Sequence, residues 1–232
     1  MYYNITIKAP NERRFKMAVK TVAQGISGTI KWTLDEEGTL FFEPVNGEEG
    51  TFADTQNYSR EWEPYNKSIK QIKSNGKINL ANDSNYMFYH CSSLSNIDAL
   101  KSWNTQNVTN MYSMFYHCSS LSNIDALKNW NTQNVTSMSA MFFHCSSLTS
   151  TDALKNWNTQ NVTSMSAMFQ GCSSLTDTDA LKNWNTQNVI STCNMFQGCS
   201  SLSDSLIPQA NIFQKKIKNF LFFHNICCLY VL

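Results

Sequence analysis

From Met87 onward, short apolar clusters and polar stretches follow one another on a fixed beat of 27 residues. Met87-Phe88 recurs as Met114-Phe115, Met141-Phe142, Met168-Phe169 and Met195-Phe196. The unit reads Met-Phe-x-x-Cys-Ser-Ser-Leu-x-x-x-Asp-Ala-Leu-Lys-x-Trp-Asn-Thr-Gln-Asn-Val, then five variable positions. Full units and the start of one more occupy roughly 87–206. A regular period of this length without insertions predicts a stacked array, in which each unit buries its apolar face against its neighbours.

Within one unit, Leu94, Ile97 and Ala99 are spaced like the core positions of a leucine-rich-repeat strand. Asn96 and Asp98 then point outward by the period of two in extended chain. Val108, Met111, Met114 and Phe115 fall on one face of a helix, with Asn107 as its N-cap. His90-Cys91-Ser92 and its equivalents end that helix, where Gly171 and Gly198 stand in later units. The unit is thus expected to be short strand, loop, short helix, with the strands stacking as a parallel sheet. The second strand core position runs Ile97, Ile124, Thr151, Thr178, Ser205, so the last units are expected to be the least stable.

The flanks follow other patterns. Residues 1–45 read as a small α/β unit: an alternating first strand, an amphipathic helix from Asn11, and a hairpin turning at Asp35-Glu36-Glu37-Gly38. Residues 46–86 are a lead-in that caps the array, since an open first strand needs covering. Residues 207–232 form an apolar tail behind Lys215, Lys216 and Lys218. It is short for a membrane helix, which needs about 20 apolar residues. A cap on the last repeat is the favoured reading, with a tail anchor or a truncated array as alternatives. No secretory h-region and no lipobox-like cysteine stand near the start.

Composition sharpens this picture. Charged residues are only 15% and the net charge is +1, so charge points neither to nucleic acid nor to an anionic membrane. The polarity comes from amides and hydroxyls, including 27 asparagines. Most of this bias is the repeat counted several times.

The run Trp-Asn-Thr-Gln-Asn-Val-Thr-x-Met-x-x-Met-Phe-x-x-Cys-Ser-Ser-Leu resembles the BspA-like leucine-rich repeat of bacterial surface proteins, in its mycoplasma-lipoprotein variety. Trp103–Leu121, Trp130–Leu148 and Trp157–Leu175 are the best copies; Trp184–Leu202 departs at Ile190 and Cys193. The stretch from Trp32 to Phe42 is similar to the hairpin that opens such arrays, and Glu61 to Ile78 to the lead-in that follows. The resemblance implies a non-enzymatic binding or adhesion protein at a cell surface.

Candidate chemistry is sparse. Cys91, Cys118, Cys145, Cys172 and Cys199 form a ladder, read as buried free thiols, with disulfides or a metal as alternatives. Cys193, Cys227 and Cys228 lie off that register. His90, His117 and His144 each precede a ladder cysteine, but sequence neighbours diverge, and the histidines read as solvent-facing residues. Trp103, Trp130, Trp157 and Trp184 are read as a buried stack rather than an exposed glycan platform. Asn107, Asn134 and Asn161 begin glycosylation-like triplets that capping explains. Asp98, Asp125, Asp152 and Asp179 make an acidic row, either a ligand surface or a series of structural turns.

No catalytic motif appears, and groups that recur in every unit do not make one unique site. The expectation is therefore an α/β leucine-rich-repeat-like solenoid with an N-terminal α/β cap. It is not an enzyme, carries no cofactor or metal, and contacts protein or glycan partners. The candidate contact residues on the sheet face are Asn96, Asp98, Asn123, Asp125, Asp152, Asp177 and Asp179. The alternative is a structural spacer or display module of a surface or phage-particle protein.

Overall fold

A computed structural model describes residues 19–55 and 59–203. The first strand, most of the amphipathic helix and the apolar tail expected from sequence lie outside the described residues; the end of that helix, expected to reach Val22, is instead irregular at 19–20 and strand from Thr21, with Val19 and Val22 exposed.

The hairpin forms where the pattern places it. Strands β1 (Thr21–Ser27), β2 (Ile30–Asp35) and β3 (Thr39–Pro44) pair antiparallel, and β5 (Gln71–Ser74) adds parallel to β3. Asp35 holds the turn, its Oδ1 accepting the N–H of Glu37 at 3.1 Å and of Thr39 at 2.7 Å. Gly38 is required there: its φ is +89°, and a Cβ would sit 2.4 Å from the Ser68 carbonyl oxygen. The short strands β4 (Glu49–Thr51) and β6 (Lys77–Asn79) pair parallel.

Trp32, Leu34, Leu40 and Phe42 alternate inward and meet Phe52 and Trp62. Phe42 packs edge-on against Trp62 at 5.1 Å and against Trp103 of the first unit at 5.5 Å. The apolar core of this mixed sheet thereby continues into the array, as one cluster from Ile30 to Leu202.

The repeats stack unit on unit, but not as strand and helix. Among the described residues there is no α-helix. The segment from Met111 to His117 instead runs as tight turns. The N–H groups of Met111, Ser113, Phe115 and His117 donate to Ser137, Ser139, Met141 and Phe143 of the next unit at 2.7–3.0 Å. The same bonds recur from Met138, Ala140, Phe142 and His144. These donors are spent between units, so they are unavailable for helical i→i−4 bonds. Left-handed residues enforce the turns. Ser113 and His117, Ala140 and His144, and Ala167 and Gly171 all have positive φ, which an α-helix cannot contain.

The expected parallel sheet is also corrected. Leu94 and Ile97 are buried, but Ala99 is only half-buried, and a 3₁₀ turn starts at Asp98. The buried spacing there is Leu94, Ile97, Leu100, the period of a 3₁₀ helix rather than a strand. Parallel pairing survives as isolated bridges, the longest series linking Asp83, Asn110, Ser137, Ser164 and Ser191.

Asn107 caps no helix. The residue that closes a turn is Asn104, whose Oδ1 accepts the Gln106 N–H at 3.1 Å; Asn131, Asn158 and Asn185 do the same. Asn134, Asn161 and Asn188 tie units together, each Nδ2 donating to a glutamine carbonyl one unit back at 2.7–2.8 Å.

Candidate binding surface

Three registers of the unit point inward and are thereby removed as sites. The tryptophans are buried: Trp130 and Trp157 stack at 6.4 Å, and the Nε1 of Trp130, Trp157 and Trp184 donates to Leu100, Leu127 and Leu154 at 3.0 Å. Phe88, Phe115, Phe142, Phe169 and Phe196 stack at 5.4–5.6 Å. The five ladder cysteines are buried and free. Each later Sγ donates to a phenylalanine carbonyl of the preceding unit at 3.0–3.1 Å. Burial pushes the thiols up, that of Cys199 to about 11, which keeps them protonated and unreactive.

The acidic row is exposed, as its register requires. It lies on the 3₁₀ turns η1 (Asp98–Ser102), η2 (Asp125–Leu127), η3 (Asp152–Leu154) and η4 (Asp179–Asn183), not on a sheet face. These turns form because a side-chain acceptor two residues earlier takes the aspartate N–H. Asn96, Asn123 and Asp177 supply Oδ1, and Ser150 supplies Oγ, at 2.7–3.0 Å. Asn96, Asn123 and Asp177 are thus occupied in holding backbone, while the carboxylates of the row face water. Lys101 pairs with Asp98 at 2.6 Å, and Lys182 with Asp179 at 2.5 Å. In solvent such pairs contribute little stability. Asp125 and Asp152, between them, make no ion pair among the described residues.

A second outward row escapes the sequence pattern. Tyr89, Tyr116 and Phe143 stack at 4.9 and 4.4 Å, the second pair parallel. Beside them His90, His117 and His144 stack at 4.7 and 4.8 Å, with ring planes within 6°. Tyr86 and Tyr112 extend the aromatic surface at 5.3 Å, and Tyr112 is exposed. The legible signal is an aromatic-His doublet at one register of three successive units, replaced by Gln170-Gly171 and Gln197-Gly198 afterwards. Partial burial lowers His90, helped by Lys67. It lowers His117 too, helped by the histidines on either side.

Among the described residues, no three His, Cys, Asp or Glu side chains surround one point as a metal cage would require. No described helix is long and apolar enough to cross a membrane.

The chain matches a leucine rich cell surface protein from Faecalibacterium prausnitzii A2-165 at 16% identity and a TM-score of 0.29. The match covers 78% of this chain, which spans about half of that protein's length, 53%. No curated protein matches. Residues 82–210 match the family model described as a mycoplasma protein of unknown function, DUF285. Since those residues are more than half of the chain and contain the whole stacked array, the protein belongs to the DUF285 family.

Proposed function

We propose that the protein is a non-enzymatic binding module, a leucine-rich solenoid of the BspA-like kind, that contacts a protein or glycan partner at a cell surface. One observation carries this reading. The outward side chains recur unit by unit, each held by the same backbone bonds, so the surface offers rows of equivalent groups rather than one unique arrangement. Catalysis needs one convergent constellation, whereas repeated weak contacts gain affinity through effective concentration.

Asp125 and Asp152 are the part of the acidic row with no lysine partner among the described residues. They are the positions where a cationic or hydroxyl-rich partner gains most. The test is a host-protein and glycan array screened with the full chain, then with Asp125→Asn/Asp152→Asn. Loss of a captured partner with an unchanged melting temperature supports the reading. A blank array with the parent chain favours the structural-spacer alternative. Loss of stability alone makes the acidic row a turn-forming device.

A further inference from the structure

The two ends of the array differ in how their backbone is paired. Along the stack, each unit donates a row of N–H groups to the next: those of Met165, Ala167, Phe169 and Gly171 reach the carbonyls of Ser191, Cys193, Met195 and Gln197 at 2.7–2.9 Å. At the N-terminal end the matching carbonyls of Asp83, Asn85, Met87 and Tyr89 are all taken by the cap. The Thr55 N–H and Oγ1, Trp62 Nε1 and Asn66 Nδ2 donate to them in that order at 2.8–3.2 Å. At the other end, the N–H groups of Thr192, Asn194, Phe196 and Gly198 donate to no described residue. Phe196 beside them is half-buried, where Phe169 one unit back is fully buried. An occupant of this apolar end must bring acceptors, because a backbone donor buried without one is costly.

We propose that residues 217–229 of the same chain close this end as a last, degenerate half-unit. In it the carbonyls of Lys218, Phe220, Phe222 and His224 accept the N–H groups of Thr192, Asn194, Phe196 and Gly198, in that order.

The register comes from the repeat. Carrying the 27-residue step past Leu202 sets Phe222, Phe223, Ile226 and Leu229 on the positions of Met195, Phe196, Cys199 and Leu202. All four inward positions stay apolar. Asn225 falls where His90, His117, His144, Gly171 and Gly198 have positive φ, a conformation asparagine adopts more readily than most residues. Residues 204–216 are as many as separate the same positions in earlier units, so the step needs no insertion. Their own pattern departs: Pro208, Asn211 and Lys216 stand where the unit before has Leu181, Trp184 and Val189. Only the segment that falls over the open donors keeps the beat. Such decay suits a terminal unit, which packs on one neighbour instead of two.

A second copy fits this end less well. Set end to end about a two-fold axis, it brings donors against donors. Set head to tail, it meets carbonyls that the cap already occupies. This inference is independent of the acidic row and of the partner proposed above.

The test is amide hydrogen exchange and NOE spectroscopy on the full isotope-labelled chain, at a concentration where sedimentation shows a monomer. The amides of Thr192, Asn194, Phe196 and Gly198 are expected to exchange at least about a hundredfold more slowly than unstructured ones. The Phe196 and Phe223 rings should show mutual NOEs, as a stack like that of Phe169 on Phe196 at 5.6 Å requires. Phe222→Asp/Phe223→Asp should return the four amides to fast exchange and leave those of Phe88, Phe115 and Phe142 slow. Four fast amides in the parent chain, with or without phosphatidylcholine vesicles, would overturn the proposal. So would protection that appears only as concentration rises, the sign of a second copy, or protection that the double variant leaves untouched. If that variant folds poorly, the parent chain decides, since absence of the Phe196–Phe223 NOE overturns the register.

Discussion

Phe142 and Phe143 are neighbours of identical composition with opposite fates, and they give the sharpest test of the stacked array. Phe142 is fully buried, with Phe115 and Phe169 each 5.6 Å away on either side. Phe143 is half-buried in the outer row, and its parallel partner is Tyr116 at 4.4 Å. Truncating a buried phenylalanine to alanine costs about 3–5 kcal/mol through lost transfer energy and the cavity left behind. Two lost ring contacts add roughly 0.5–1.5 kcal/mol each. Phe142→Ala is therefore expected to cost about 4–8 kcal/mol, a large share of the roughly 5–15 kcal/mol that stabilises a domain. Phe143→Ala forfeits about half of a phenylalanine's burial and the stacking on Tyr116, with looser contacts to His117 and His144, so about 1–3 kcal/mol. The assay is urea unfolding followed by tryptophan fluorescence, which the buried indole row supplies. The midpoint should drop steeply for Phe142→Ala and slightly for Phe143→Ala, with similar slopes. Equal losses, or a larger loss at Phe143, would refute the assigned inward and outward registers.

Gly171→Ala should destabilise by more than Gly198→Ala. Both glycines have positive φ, costing a side chain about 1–2 kcal/mol, but only at Gly171 would the new Cβ also strike a neighbouring ring. Paired thermal melts compare the two, and equal shifts would remove the steric part of the argument. Thr151 is 1% exposed where the first units carry isoleucine, and its Oγ1 reaches the Asp177 carbonyl only at 3.4 Å. Thr151→Val should raise stability by about 1 kcal/mol in urea unfolding; a decrease would show that this long bond matters. Folding holds the ladder thiols protonated above their ordinary value of 9.0, so beyond that pH the folded chain binds more protons than the unfolded one. Stability should then fall as pH rises from about 9 toward 11, and less steeply in a Cys118→Ala/Cys145→Ala chain. An identical slope in both would place the alkaline loss elsewhere.

Much of the core was legible in the residues. A strict period assigns Met, Phe, Cys, Leu, Val and Trp to one inward set without any knowledge of local geometry, because equal spacing demands equal environments in neighbouring units. The hairpin at Asp35–Gly38 was legible too, since a turn acceptor and a positive-φ glycine sit between two apolar runs. The local elements were not. Met111, Met114 and Phe115 match helical spacing, and tight turns produce the same spacing when their donors bond to the next unit. Leu94, Ile97 and Ala99 fit a strand, yet Leu100 is the residue that enters the core.

The same divide runs through the surface. Asn96, Asn123 and Asp177 were candidates for contact, and their side chains hold the turn from which the aspartates project. The imidazole row is not legible along the chain, because its members are 27 residues apart and meet only across units.

The sequence by itself determined the period, the inward residue set and the order of the units, because each is a property of spacing along one chain. Tertiary structure alone decided whether a backbone N–H bonds within its unit or to the next, and therefore whether turns replace helix. It also decided which outward side chains meet. Both depend on residues about one repeat apart in sequence that stacking brings within about 5 Å, a distance at which hydrogen bonds and ring contacts outweigh local propensity.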